Sequence, residues 1–248
     1  MKTVETLDFE VRTYECDPRD RLKPPVLLNY LQEAADQSAR NLGFGVEQLH
    51  PQRLTWFLSR YRIVMTRLPT LREKVRVQTW PCASRPMRAQ RDFEIVDGEG
   101  GHLGHATTSW MMISLADRKI VEPTLVVNPA YLAEGCVLEN PFGTIDAAAP
   151  ELVRLERTRY HDLDRNRHVN NGVYLSFTMG HGPKDLLKSY QPLDMELVYL
   201  AEIKADEELR NLCAVKELPD GRVETLHLLT DAAGTTECFR QRTLWSKV

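Results

Sequence analysis

One pattern occurs twice in this chain: a single helix-length apolar stripe, then a series of strand-length runs. In the first copy, residues 26–42 place apolar or small side chains at Leu27, Leu28, Leu31, Ala34, Ala35, Ser38, Ala39 and Leu42, and Gly43 stops the helix. A strand end at 11–14 precedes it. Strands at 55–65, 74–80, 89–96 and 102–115 follow, with a turn at Asp97-Gly98-Glu99-Gly100. The second copy reads as a strand at 152–160, a helix at 171–179 broken by Gly180-His181-Gly182-Pro183, and strands at 193–203, 209–217 and 223–230. A turn at Asp231-Ala232-Ala233-Gly234 and a last strand ending near Trp245 close it. The two turns, and Trp110 with Trp245, recur at a spacing near 135 residues; Tyr30-Leu31 and Tyr174-Leu175 recur at 144. One helix per set of antiparallel strands has one solution for its apolar stripe: each sheet must wrap its own helix. The expected fold class is α+β, two tandem domains, with residues 1–120 as the first, 121–150 as a proline-punctuated linker (the connecting stretch begins at 116) and 151–248 as the second.

Composition narrows the function classes. Of 248 residues, 42% are hydrophobic and 27% charged, an ordinary globular balance. No apolar run approaches the ~20 residues of a membrane span, and Met1-Lys2-Thr3-Val4-Glu5 is followed by no signal-peptide core. Five scattered cysteines (16, 82, 136, 213, 238) without a CxxC pair point to a reducing cytoplasm, and away from disulfides or a zinc site. The net charge of −3 conceals a basic stretch: residues 51–91 carry +9, leaving −12 for the rest. That stretch is either a solvated strand face or a docking surface for an acidic partner. Nucleic acid is disfavoured by the pI of about 6.2 and by the lack of a binding motif.

Residues 160–171 hold two acids, two histidines and three amides just ahead of the second helix. Asp164, Asn166 and His168 alternate with Arg165 and Arg167, so extended geometry would turn all three to one side. They would converge beside a helix N-terminus, where unpaired N–H groups and the helix dipole favour developing negative charge. The plainer reading of the same residues is an Asx-rich turn capping the helix through Asn170 and Asn171, and the two readings are compatible. His161 lies outside the alternation. His102 and His105 lack an HExxH pattern, and His50, His181 and His227 read as surface or turn residues. There is no G-x-S-x-G elbow and no phosphate-binding glycine loop, so the sequence favours a site that activates water or binds a polar group without a nucleotide cofactor, and with no HExxH pattern no metal is expected.

The run Asp162-Leu163-Asp164-Arg165-Asn166-Arg167-His168-Val169-Asn170-Asn171 with Tyr174 resembles the signature of acyl-acyl carrier protein thioesterases. The likeness extends to Leu28-Asn29-Tyr30-Leu31-Gln32-Glu33-Ala34-Ala35 with Leu42-Gly43, to Trp56, Thr79-Trp80-Pro81, Arg91-Asp92-Phe93-Glu94 and Ser109-Trp110, and to 193–202. The resemblance implies a double hotdog fold and hydrolysis of fatty acyl thioesters of acyl carrier protein. It places active-site residues at Asp164, Asn166, His168 and Glu202, with Glu202 on the strand after the second helix. Plant members carry cysteine after that glutamate; here Ile203 stands there, which excludes a thiolate at this position and favours attack by water. The missing transit peptide suggests a bacterial member.

On that basis the N–H groups of Asn170, Asn171 and Gly172 are expected to hold the thioester oxygen, and Glu202 or Asp164 with His168 to activate water. An acyl pocket is expected in the first domain from Leu28, Leu31, Ala35, Trp56, Leu58 and Trp110, each of which could equally be plain core. Carrier docking is expected among Arg60, Arg62, Arg67, Arg72, Arg85, Arg88 and Arg91. The partner is acyl carrier protein with a phosphopantetheine-linked chain, and the protein a monomer or homodimer. The rival readings are an acyl-coenzyme A thioesterase and a non-catalytic acyl-thioester-binding protein.

Overall fold

A computed structural model of the chain describes residues 3–133, 135–138, 141–146 and 150–248. The chain divides into two compact units, Met1–Pro141 and Phe142–Val248. In the first, β1 (Glu5–Glu10) leads through a short 3-10 turn to α1 (Pro24–Asn41) and the one-turn α2 (Val46–Leu49). Next come β2 (Leu54–Met65), β3 (Lys74–Arg85), β4 (Arg88–Asp97), β5 (His102–Ser114) and the two-residue β6 (Ile120–Val121). The sheet order is β1-β3-β4-β5-β2, with β6 on β5, all antiparallel.

Pro24 and Pro25 open α1 because the first turn has no use for their missing N–H groups. Gly43 closes it at φ +83°, a left-handed position that favours glycine. The buried side of α1 is Leu27, Leu28, Leu31, Ala34, Ala35 and Ser38. The unit's core adds Tyr61, Ile63, Val75, Val77, Phe93, Ile95 and Leu103. One cation sits inside it. Arg91 on β4 is 5% exposed and donates to Ser38 Oγ of α1 (2.9 Å) and Thr79 Oγ1 of β3 (3.2 Å). Burial lowers its guanidinium to about 10, so it stays charged at neutral pH while pinning helix to sheet.

The second unit runs β7 (Leu152–Arg157), α3 (Asn171–Met179), α4 (Lys184–Ser189), β8 (Tyr190–Tyr199), β9 (Glu208–Glu217), β10 (Val223–Asp231) and β11 (Glu237–Lys247). Its sheet order is β8-β11-β10-β9-β7, again antiparallel. Tyr174 and Leu175 of α3 are buried, and Tyr174 meets Tyr199 and Phe239 with ring centroids 5.3 and 5.5 Å away. Polar side chains of the sheet also reach α3. Asn211 Nδ2 donates to Phe177 O (2.9 Å), and Thr178 Oγ1 bonds Gln241 Oε1. Each unit is thus one antiparallel sheet packed on one main helix, a hotdog domain, in tandem. No helix among the described residues is long and apolar enough to cross a membrane.

Several expectations need correcting. The strand before α1 is Glu5–Glu10, not 11–14; its acidic alternation hides an inward side in which Phe9 stacks on Tyr30 at 4.1 Å. The strand at 193–203 is Tyr190–Tyr199, so Glu202 lies in the loop beyond it. A disulfide joins Cys82 to Cys136, Cα atoms 5.1 Å apart, which removes the cysteine argument for a reducing compartment. Cys82 sits at a bulge in β3, and Ala133 N donates to Pro81 O nearby, bringing two distant cysteines together without a sequence motif. Asp92 lies against the same sulfurs, which as a disulfide offer a metal no thiolate.

His227 is not a surface residue: it is 3% exposed on β10. With its proton on Nδ1 it donates to Asn211 Oδ1 (3.3 Å), and Nε2 accepts from Cys213 Sγ (3.6 Å). Burial drives its pKa from 6.5 down to about 3 and the Cys213 thiol up to about 12, so both stay neutral. The unfolded chain takes up a proton near pH 6.5 and the folded chain does not. Stability is therefore full above pH 6.5 and falls toward pH 3, by up to about 1.4 kcal/mol per pH unit. His227→Gln is expected to flatten the loss of urea midpoint between pH 7 and 5; an unchanged slope in the variant would reject this assignment.

Candidate active site

After β7, Thr158 fastens the incoming chain: its Oγ1 donates to Lys204 O (2.7 Å) and accepts from Glu207 N (2.9 Å). A 3-10 turn at Tyr160–Asp162 follows, and Leu163 then bridges Val169. The loop between them is closed on itself rather than extended. Asp164 N donates to His168 O (2.8 Å) and Arg167 N to Asp164 O (3.0 Å), with Arg167 at φ +64°. The expected one-sided alternation of Asp164, Asn166 and His168 is thus replaced by a tight turn. It is gathered by the Asp164 carboxylate, whose Oδ1 accepts from the N–H groups of Asn166 (2.7 Å) and His168 (3.4 Å), while Oδ2 accepts from Asn166 Nδ2 (3.3 Å).

The turn delivers His168 to the loop after β8. His168 Nε2 lies 3.3 Å from Glu202 Oε2, the two side chains 29% and 28% exposed, within reach of solvent. Glu202 is held there by a residue whose role the sequence did not reveal. Tyr174 OH donates to Ala201 O (3.1 Å) and accepts from Ile203 N (3.0 Å), bracketing Glu202 from both sides. Burial raises the Tyr174 phenol, so it remains a donor at any physiological pH. Val169 N also donates to Ile203 O (2.8 Å), tying the two loops directly. The Asn171–Tyr174 spacing in the motif was the available signal: it is one helical turn, enough to project a hydroxyl beneath the loop.

The helix start is capped as the plainer reading anticipated. Asn170 Oδ1 accepts from Gly172 N (2.8 Å), Val173 N donates to Asn170 O (2.8 Å), and Asn170 N to Asp162 O (2.8 Å). Gly172 and Asn170 therefore have no N–H left to offer, and among the described residues the Asn171 N–H has no acceptor. Tyr199 OH donates to Asn171 O (3.0 Å), fixing that residue from the sheet side. His161 lies outside this constellation; it is exposed and contacts Tyr160 edge-on.

In the first unit, Leu28, Leu31, Ala35 and Leu58 are buried, while Trp56 and Trp110 are half-buried. Trp56 Nε1 donates to Phe44 O (2.8 Å) and Trp110 Nε1 to Thr108 Oγ1 (2.8 Å); Leu58 faces Trp110 across β2 and β5. The arginines divide sharply. Arg91 is internal and unavailable for docking, because its guanidinium is committed to Ser38 and Thr79. Arg67 is paired to Glu73 (2.7 Å) and Asp97 (3.6 Å), and Arg60 and Arg62 are half-buried on β2. Arg72 is exposed at φ +63°; Arg85 and Arg88 are exposed at the β3–β4 hairpin tip.

Antiparallel strands on one main helix in each unit, with the His168–Glu202 site in the second, define a tandem hotdog protein. The model of the acyl-ACP thioesterase N-terminal domain matches residues 2–126 and that of the C-terminal domain residues 149–247. The chain belongs to the acyl-ACP thioesterase family. It is 28% identical over 261 residues to the chloroplastic palmitoyl-acyl carrier protein thioesterase of Gossypium hirsutum, covering 96% of this chain and 62% of that protein. The chain thus spans less than two thirds of that relative. Among solved structures it resembles an acyl-ACP thioesterase from Bacteroides thetaiotaomicron (26% identity, TM-score 0.83, 98% of each chain). It also resembles the 12:0-ACP thioesterase from Umbellularia californica (26%, TM-score 0.89, 99% of this chain and 94% of that one).

Replacing Tyr174 with Phe removes the bracket around Glu202 and leaves the ring in place. The main-chain groups it held lose a buried partner, a cost of about 1–3 kcal/mol. If the site acts through His168 and Glu202, Tyr174→Phe is expected to lower kcat about tenfold while KM moves little. Unchanged kcat would show that the bracket does not govern the site.

Proposed function

We propose that this protein hydrolyses the thioester linking a fatty acyl chain to acyl carrier protein, releasing the free acid in fatty acid biosynthesis. The observation that carries the reading is the 3.3 Å His168–Glu202 pair, with the open N–H of Asn171 three residues further along the chain and family membership naming the chemistry. In this mechanism Asn171 N–H receives the thioester oxygen at the positive end of α3. His168 takes a proton from water as its oxygen attacks the carbonyl carbon, and Glu202 stabilises the imidazolium that forms. The tetrahedral intermediate then expels the phosphopantetheine thiolate as the C–S bond breaks, and His168 returns the proton to sulfur. Asp164 is assigned to shaping the turn and Asn166 to steadying that carboxylate, because both are engaged with each other. Ile203 is fully buried and offers no nucleophile.

We assign the chemistry to residues 151–248, the acyl chain to 1–120 and the connection to 121–150. Trp56 and Trp110 are the half-buried pocket candidates, whereas Leu28, Leu31, Ala35 and Leu58 are buried and would contribute from within the core. His168→Ala and Glu202→Gln are each expected to lower kcat ~100-fold or more on an acyl-carrier substrate with the folded spectrum intact. Near wild-type turnover in either would remove that residue. Comparing one acyl group on the carrier and on coenzyme A decides the substrate: faster hydrolysis from coenzyme A would favour the rival enzyme, and none from either a binding protein.

For the carrier we favour Arg85 and Arg88. They face each other across the hairpin, a like-charge pairing that is unfavourable unless an external acid relieves it, and Met87 between them is 64% exposed. The double variant Arg85→Glu/Arg88→Glu is expected to raise KM for the carrier-linked substrate at least tenfold and abolish its salt dependence, leaving the coenzyme A thioester unaffected. Equal KM for the variant and the wild type would move docking elsewhere, with Arg72 next.

A further inference from the structure

Among the described residues no strand pairs with the outer edge of the second unit's sheet. β7 pairs with β9 on one side only, and its outward apolar side chains are bare: Val153 is 55% exposed and Leu155 74%. Open strand edges are templates for another strand unless charge, proline or a bulge blunts them. β7 has neither proline nor bulge, and its three charges are of mixed sign, Arg154, Glu156 and Arg157.

The ladder fixes which main-chain groups face out. Leu218 N donates to Arg222 O, so even-numbered residues of β9 bond β10 and odd-numbered ones face β7. Thr158 N donating to Glu207 O extends the same phase, in which Arg154 and Glu156 bond β9; the phase breaks only ahead of the strand, where Glu151 N donates to Cys213 O. Val153, Leu155 and Arg157 therefore present their N–H and C=O groups outward. Their side chains lie on the sheet face carrying Leu212, since Val153 is opposite Leu212, whereas Arg154 lies on the α3 face and donates to Gly180 O (3.4 Å).

We propose that two copies of this chain associate through antiparallel pairing of β7 with β7, centred on Leu155. Antiparallel registers that match outward-facing residues differ by steps of two. Shifting one way sets Arg154 against Arg154, and shifting the other sets Glu156 against Glu156. Centring on Leu155 sets each Arg154 opposite the other copy's Glu156 and each Val153 opposite Arg157. In the single chain Arg154 already pairs with its own Glu156 at 3.0 Å. The charges thus select the register, while main-chain hydrogen bonds and cover for Val153 and Leu155 drive pairing. Six-residue strands bury less than the ~1,200 Å² of a standard interface, so the dimer is weak and concentration-dependent.

Residues paired at a two-fold centre with outward hydrogen bonds have Cα atoms about 5.5 Å apart, within disulfide reach. Under mild oxidation of the full chain, Leu155→Cys is expected to form a covalent dimer at least tenfold faster than Val153→Cys, whose counterpart lies four positions along the strand. In sedimentation velocity the wild type dimerises as concentration rises, Glu156→Arg stays monomeric, and Arg154→Glu/Glu156→Arg dimerises again. A wild type monomeric at every concentration, equal crosslinking at both positions, or a charge-swapped variant that fails to re-pair would each overturn the proposal.

Discussion

The site depends on one phenol. Tyr174 stands on α3 and its hydroxyl reaches under the loop after β8, donating to the carbonyl before Glu202 and accepting from the N–H after it. A glutamate in a loop has several rotamers and a mobile backbone; bracketing its backbone on both sides reduces that freedom before substrate arrives. The same helix begins at Asn171 and is packed through Tyr174 onto Tyr199 and Phe239. The Glu202 loop and the Asn171 N–H are therefore referenced to one rigid element, and Asp164 sets the turn that adds the imidazole.

The two domains solve the same packing problem with different chemistry. In the first, a buried arginine joins helix to sheet; in the second, the Asn211 amide does so through Phe177 O, with a neutral histidine and a thiol paired behind it within the sheet. Each group keeps the charge state its surroundings favour: Arg91 remains a cation because its intrinsic affinity for a proton outlasts desolvation, and His227 gives its proton up because its own does not.

How much of this was legible in the sequence follows from what each signal encodes. The stripe of α1 and the β2–β5 runs declare themselves by period, and α3 matches 171–179 because Asn170 marks its start and Gly180 its end. The motif residues were recognisable, but their arrangement was not: alternation suggested an extended segment, whereas Asp164 closes a turn through backbone bonds no periodicity records. Glu202 read as strand because the largely apolar run 193–200, broken only by Asp194 and Glu196, leads up to it, yet the strand ends at Tyr199, where Leu200 and Ala201 donate to Cys238 O instead. The Cys82–Cys136 bond and the interior place of Arg91 both come from tertiary proximity, which spacing along the chain does not carry.

The central claim is that His168 and Glu202 deliver water directly to the thioester, with no protein side chain acylated. A single turnover with enzyme in excess, run in water labelled with heavy oxygen and read by mass spectrometry of both acid and protein, tests it most directly. The account predicts one labelled oxygen in the released acid and none in the protein. Unlabelled acid with the label in Glu202, or an acyl adduct on any side chain, would contradict it.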